Sequence, residues 1–396
     1  MGGLDNQSIE QLQPIKVFSL VNGFHGGVAK YTAMLSLLNE RDNIELQTVV
    51  LNCPEWICNR ADLDSYDLDE MMIRGRFDFS WIDPCVERIN RFSPDLLLVH
   101  GGCVASGFAW LLQRKVKRHL PYVSSYHGFY TAPSPSKKLI QPIRNWLTPK
   151  MYQRRTLSVV AVAEFCKQYL IDRGVDADKI TVVHNGIDAI APSCESIQRS
   201  SLGLKDDDII IGVISRLDPV KGLSYLIDAF PSVLKRHPKV HLVMVGDGDC
   251  TEQLKQQCQQ LGIASNVHFV GYQHNIQAWY EFFDIFALPS LAEFHSIALL
   301  EAMRAGKAIV STDVGGNTES VRDEKEALIV PSKNAEALGN ALGRMIEDPA
   351  MARRLSEAAK QRFDQYFTID HMLDQTEAWL RKCVQLAKSQ QTQCSE

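Results

Sequence analysis

Two glutamates, Glu293 and Glu301, stand eight residues apart in the stretch 284–316, DIFALPSLAEFHSIALLEAMRAGKAIVSTDVGG. The pattern predicts a strand over 285–288, a loop carrying Glu293, a helix over 297–305 and a second strand over 308–311, one βαβ unit of a parallel sheet. Ser296 is placed to cap the helix, and Gly306 to end it. The first turn, at His295, Ser296 and Ile297, presents unpaired N–H groups and a partial positive charge, a seat for phosphate. Carboxylates on either side of that seat suit sugar hydroxyls, which need acceptors, so the pattern points to a nucleotide sugar. A second pair, Arg216 and Lys221, lies five residues apart in SRLDPVKG, directly after an apolar run at 209–214. Cations at a strand end can clamp a diphosphate and neutralise the charge that develops on a leaving group.

The Glu293 to Glu301 spacing, followed by LLEAMRAGKAIVSTDVGG, resembles the E-x7-E signature of retaining GT-B glycosyltransferases of family 4. S-R-L-x-x-x-K-G around Arg216 and Lys221 is similar to a second motif of that family, and His184-Asn185-Gly186-Ile187-Asp188 to the N-G-[IV]-D that closes its first domain. The resemblance spans about 15–385. It implies that Glu293 contacts the transferred sugar, that Glu301 binds the nucleotide ribose, and that Arg216 and Lys221 serve the diphosphate. The sequence departs from the family at Phe294-His295-Ser296, where Gly-Phe-Gly is usual.

The remaining candidates sit at other predicted strand ends. A strand over 15–20 leads through Asn22-Gly23-Phe24-His25-Gly26-Gly27 into a helix over 28–38. Strand, glycine loop and helix bring a backbone against phosphate. The spacing is not G-x-G-x-x-G and no acidic residue ends the next strand (46–51), which argues against a dinucleotide site. By resemblance, Gly26 and Gly27 lie near donor diphosphate and acceptor, and Gly246 and Gly248 pack against the nucleotide. His127, after a strand over 121–126, is placed at a cleft-facing edge; the family's matching His lies beside the transferred sugar.

The elements that must position these residues alternate strand and helix, which predicts an α/β chain of two Rossmann-like domains facing a cleft. The expected parts are a tail at 1–14, an acceptor-side domain at 15–188, a hinge at 189–208 with a short helix, and a donor-binding domain at 209–367. By resemblance the last helix, from about 368, crosses back to the first domain. A chain of 396 residues suits two domains. Ten scattered cysteines without a C-x-x-C pair point to a reducing cytoplasm rather than to zinc or disulfides. No signal peptide or transmembrane run is expected.

Net charge is −5, but unevenly spread. Between 96 and 163 there is no Asp or Glu, while Arg114, Lys115, Lys117, Arg118, Lys137, Lys138, Arg144, Lys150, Arg154 and Arg155 carry ten positive charges, leaving 32 basic against 47 acidic residues elsewhere. Leu139, Ile140, Ile143, Trp146, Leu147 and Met151 recur among these cations at helical spacing, the composition of a surface that docks on anionic lipid. Pro142 and Pro149 argue against one uninterrupted helix there.

The expected function is retaining, metal-independent hexosyl transfer from a UDP- or GDP-linked sugar to a glycan or lipid-linked acceptor, in cell-envelope polysaccharide or lipopolysaccharide synthesis. The expected location is the cytoplasm, peripheral on the inner membrane face, with no nucleic acid partner and no cofactor. Two alternatives stay open, a sugar-nucleotide 2-epimerase of the same fold and a non-catalytic sugar-nucleotide-binding protein.

Overall fold

A computed structural model describes residues 14–22, 26–52, 68–72, 78–128, 141–188 and 196–393. Runs of aliphatic and β-branched residues flanked by amphipathic stretches fold as strands covered by helices on both faces, so the strands are apolar almost throughout rather than alternating. Two compact units result. The first comprises the described residues of Met1–Val162, Cys166–Val183 and Leu373–Glu396, the second Ala163–Phe165 and those of His184–Met372.

The first unit is a seven-stranded parallel sheet of β1 (Ile15–Asn22), β2 (Ile44–Asn52), β3 (Asp69–Met72), β4 (Leu96–His100), β5 (Tyr122–Tyr126), β6 (Val159–Ala161) and β7 (Ile180–Val182), in the order β3-β2-β1-β4-β5-β6-β7. The chain leaves β1 toward one edge and returns to its other side at β4, so the topological switch lies between β1 and β4, pinned by the register Val17↔Leu96 to Val21↔His100. Ligands of open parallel sheets bind beyond the carboxyl ends at such a switch. Phe18, Leu20, Val49, Leu97, Val99, Phe108 and Leu112 form one core layer. Residues of the closing helix Ile369–Gln393 complete this unit: Trp379 donates from Nε1 to Ser158 Oγ at 3.0 Å, Arg381 to Asn43 O at 2.9 Å, and Arg41 pairs with Asp374 at 2.5 Å.

The second unit is a six-stranded parallel sheet, β8 (Ile209–Ile214), β9 (Val240–Val245), β10 (Val267–Gly271), β11 (Ile285–Leu288), β12 (Ala308–Thr312) and β13 (Leu328–Val330), ordered β10-β9-β8-β11-β12-β13. Its switch falls between β8 and β11, which pair at Ile285↔Ile211 and Phe286↔Gly212. Arg216 and Lys221 follow β8, and Glu293 follows β11. The two best motifs in the sequence therefore flank one switch point.

Several expectations are corrected. Gly26 and Gly27 are not in a loop: they open the helix Gly26–Leu35, and the rest of the expected helix tightens into a 3₁₀ turn, Ser36–Glu40. The segment Gln141–Arg155 is a single helix despite Pro142 and Pro149. Pro142 sits in the first turn, where no intrahelical donor is required. Pro149 does cost one backbone bond, but the helix is held on both sides of it: Thr148 Oγ1 donates to Arg144 O at 2.8 Å and accepts from Cys103 N at 3.0 Å, and Tyr152 OH donates to Gly101 O at 2.6 Å. Strand β3, sequence DEMM, was not foreseen. Lys137, Lys138, Leu139 and Ile140, and 189–195 of the expected hinge, lie outside the described residues; the hinge's short helix is the 3₁₀ turn Arg199–Leu202.

Candidate functional site

Within the second unit, the helix Ile297–Arg304 begins as its sequence predicts: Ser296 is extended, and its side chain accepts from Leu299 N. Gly306 ends it with φ +62°. The preceding loop holds Glu293 in a fixed pose. Lys221 Nζ and Ser290 Oγ both donate to Glu293 Oε1, each at 2.7 Å, and Ser290 is fully buried. Among the described residues Oε2 has no hydrogen-bond partner, which leaves one carboxylate oxygen to accept from a ligand hydroxyl. The backbone of this loop is braced by a glycine pair: a Cβ on Gly315, whose φ is +52°, would stand 1.7 Å from Glu293 O, and one on Gly316 1.9 Å from Phe294 O. Only glycine permits that approach.

Arg216 lies not beside Lys221's partner but 2.7 Å from Asp218 through Nη2, with its side chain largely exposed. Asp218 also accepts from Val220 N at 3.1 Å and so shapes the turn that carries Lys221. Each cation of the expected clamp thus rests on its own carboxylate. Gly246 (φ +126°) and Gly248 follow β9, where a Cβ would meet Ser215 O at 1.9 Å and Leu217 O at 2.5 Å. These glycines let the β9 loop lie flat against the loop carrying Arg216.

Glu301 is buried, and Tyr280 OH lies 3.0 Å from both its Oε2 and Ala298 O. Burial, with the Glu301 carboxylate next, pushes the Tyr280 phenol well above its ordinary value, so it remains a donor that orients the acid. Neither Ser290 nor Tyr280 was singled out from sequence. A hydroxyl just ahead of Glu293 was a weak signal for the first; nothing local marks the second, 21 residues before its partner.

His295 does not present its side chain to the helix N-terminus. It is buried against His184 and Phe367, with ring centroids at 5.0 and 5.5 Å, and its Nε2 lies 3.2 Å from Ser320 Oγ. Burial, then the nearby His184, lowers its pKa well below 6.5, so the ring is neutral. Its carbonyl accepts from Asn185 Nδ2 at 3.0 Å. Any ligand contact from His295 therefore falls to its backbone N–H. Beside it, Glu319 accepts from His184 Nε2, Glu164 N and Phe165 N, all at 2.8 Å. Burial alone would push Glu319 up, yet these donors hold it below its ordinary value.

In the first unit, His127 follows β5 and lies 2.5 Å from Ser125 Oγ through Nε2. The Tyr31 ring stands edge-on to it at 4.5 Å, and His100 stacks at 5.9 Å. Burial lowers His127 to about 4 and, with His127 adding to burial, His100 well below 6.5. Two neutral imidazoles therefore sit at the carboxyl ends of β4 and β5. His127 can hydrogen-bond a hydroxyl at neutral pH but carries no charge there. Gly26 and Gly27 open the helix after β1, next to the switch.

Among the described residues, no group of three or more His, Cys, Asp or Glu is arranged to hold a metal ion, and no helix is long and apolar enough to cross a membrane.

Comparison with known proteins agrees with this architecture. The glycosyl transferases group 1 profile matches residues 195–362, and the glycosyltransferase family 4 profile residues 25–189. An uncharacterised glycosyltransferase of Methanocaldococcus jannaschii is 30% identical over 273 residues, 65% of this chain and 68% of that protein. An Escherichia coli UDP-Gal:alpha-D-GlcNAc-diphosphoundecaprenol alpha-1,3-galactosyltransferase is 26% identical over 58% of this chain and 61% of its own length. Among solved structures, Anabaena HepE in complex with UDP-glucose superposes with a TM-score of 0.76 at 22% identity, covering 93% of this chain and all of that one. The fold and the paired sheets are those of GT-B glycosyltransferases. The chain belongs to glycosyltransferase family 4.

Proposed function

We propose that this glycosyltransferase moves a hexosyl residue from a nucleotide-diphosphate sugar, UDP- or GDP-linked, to a glycan or lipid-linked acceptor, with retention of configuration and without a metal ion. The observation that carries this reading is Glu293 at the β8/β11 switch, one oxygen saturated by Lys221 and Ser290 and the other open. In this reading the sugar hydroxyls bind Glu293 Oε2, the ribose binds Glu301, and the diphosphate lies at the Ser296–Ile297 helix start. The bond from the anomeric carbon to phosphate oxygen breaks as the bond to the acceptor oxygen forms on the same face. The acceptor's proton passes to the departing phosphate. Lys221 and Arg216 stabilise charge on that phosphate, which is the electrostatic work a metal does elsewhere. His127, neutral, orients a hydroxyl.

The acceptor side of the proposal rests on the first unit. Ile143 and Trp146 are 61% and 60% exposed, Lys150 Nζ lies 3.7 Å over the Trp146 ring, and Arg154 and Arg155 are exposed beyond them. An exposed aromatic and aliphatic stripe among cations suits the face of an anionic membrane, where each cation contributes about 1 kcal/mol. The relative from E. coli is named for a diphosphoundecaprenol-linked acceptor, which fits peripheral action on the cytoplasmic leaflet in envelope-glycan synthesis. A thermal-shift screen of UDP, GDP and ADP sugars tests the donor, since a ligand that binds the folded state raises its stability by mass action. Anomeric analysis of the product tests retention. A chain that neither binds nor turns over any of these sugars refutes the proposal, and conversion of UDP-GlcNAc alone identifies the epimerase instead.

A further inference from the structure

Beyond the carboxyl ends of β4 and β5, the first unit holds a small pocket of about 50 Å³, bounded by Gly102 and Gly128 and walled by Tyr126, Arg144, Asn145, Thr148, Pro149 and Tyr169. Arg144 is the only charged side chain among the described residues that line it. The segment 96–163, which supplies most of the lining, contains no Asp or Glu. Tyr126 and Tyr169 stack at 6.2 Å and 15°, and the Arg173 guanidinium lies 3.6 Å over the outer ring, which adds a second cation behind the wall. The floor is rigid: Thr148 Oγ1 is engaged by Cys103 N and Arg144 O, and a Cβ on Gly102 would stand 2.8 Å from that oxygen. The groups here are planar, polar and net positive, which matches a phosphate.

The same helix presents an apolar shelf. Ile143 and Trp146, each next in sequence to a pocket residue, share one exposed face at a spacing of three, with Lys150 a turn further. A phosphate pocket beside an exposed aliphatic and aromatic shelf has the shape of an amphiphile.

We propose that this pocket binds the phosphate of an isoprenyl phosphate or diphosphate, the lipid carrier of the acceptor, with Arg144 taking phosphate oxygens and Ile143 and Trp146 the first isoprene units. This deepens the transferase reading above and rests on it. Calorimetry on the full chain uses farnesyl phosphate below its micellar concentration, with farnesol, short-chain phosphatidylglycerol and inorganic phosphate as the other arms. Farnesyl phosphate should bind at least tenfold tighter than each of them. Arg144→Gln should lose tenfold or more for farnesyl phosphate and leave farnesol unchanged, whereas Ile143→Ser with Trp146→Ala should weaken both and spare phosphate. All variants should bind free nucleotide as the parent does, which reports folding. Equal binding of phosphatidylglycerol makes this face a general lipid-docking surface, and an unchanged Arg144→Gln empties the pocket of its role; either result overturns the inference. A parent that binds farnesyl phosphate but no nucleotide sugar would refute the donor reading alone.

Discussion

Gly316→Ala isolates one contact. Its φ of −78° is open to any residue, so alanine introduces no backbone strain and acts only through its added carbon. That carbon would stand 1.9 Å from Phe294 O, and real Cβ atoms essentially never approach within 3.0 Å of a neighbour. The two backbones must therefore part by about 1.1 Å at the residue after Glu293. Both 2.7 Å bonds to Glu293 Oε1 are set by that backbone. Overpacking of this kind costs about 1–3 kcal/mol, or a fall in melting temperature of roughly 2–12 °C for a unit of this size, so the protein should still fold. A reactive group displaced by about 1 Å loses on the order of 100-fold in rate. Turnover of the sugar nucleotide found in the thermal-shift screen should fall by that factor, with free-nucleotide affinity near the parent's. Gly107→Ala, which meets nothing within 4 Å, is the control and should keep full activity. Folded Gly316→Ala enzyme within threefold of the parent would show that the glycine pair does not set Glu293.

Lys221→Ala and Arg216→Ala should each reduce turnover by roughly two orders of magnitude through lost charge stabilisation; near-parent rates in both would remove the clamp. Glu301→Gln should weaken free nucleotide binding, while Glu293→Gln should spare it and impair transfer, and equal losses by calorimetry would reject that division of roles. Tyr280→Phe removes a hydrogen bond to a carboxylate worth about 1.5–3 kcal/mol, so nucleotide affinity should fall roughly 10- to 100-fold; unchanged affinity would exclude Tyr280 as the positioning group. His127, at about 4 when folded against 6.5 when free, takes up its proton first in the unfolded chain. Its contribution to stability is then present above pH 6.5 and is lost as pH falls from 6.5 to 4, by about 3 kcal/mol at 1.36 kcal/mol per unit. His127→Gln should flatten the acid side of the unfolding curve, and an identical slope would disprove the burial argument.

The parallel strands were readable because burial on both faces leaves unbroken apolar runs, such as LLLVH in β4 or IIIGVI in β8. Strand β3 was not, because an edge strand of sequence DEMM has neither the run nor the alternation. The prolines of Gln141–Arg155 misled for a different reason: Thr148 and Tyr152 restrain the helix through partners 45 and 51 residues away or a turn back, which no local pattern reveals. At the site, the spacing of Glu293 and Glu301 and the capping of their helix were legible. The groups that hold the two acids were not, since Ser290, Tyr280, Gly315 and Gly316 act through tertiary contacts. His295 shows the same limit, as its position suggested a ligand contact while its ring completes a buried cluster.

The stretch that finishes the first unit, from Leu373 onward, is synthesised only after the whole of the second. Ser158 waits for Trp379, and Arg41 for Asp374, across the entire synthesis of residues 184–372. A growing chain therefore carries most of the second unit while the first still lacks the helix that brings Trp379, Leu380 and Val384, all buried in the finished protein. Chaperone engagement during translation should concentrate on the earlier-made half.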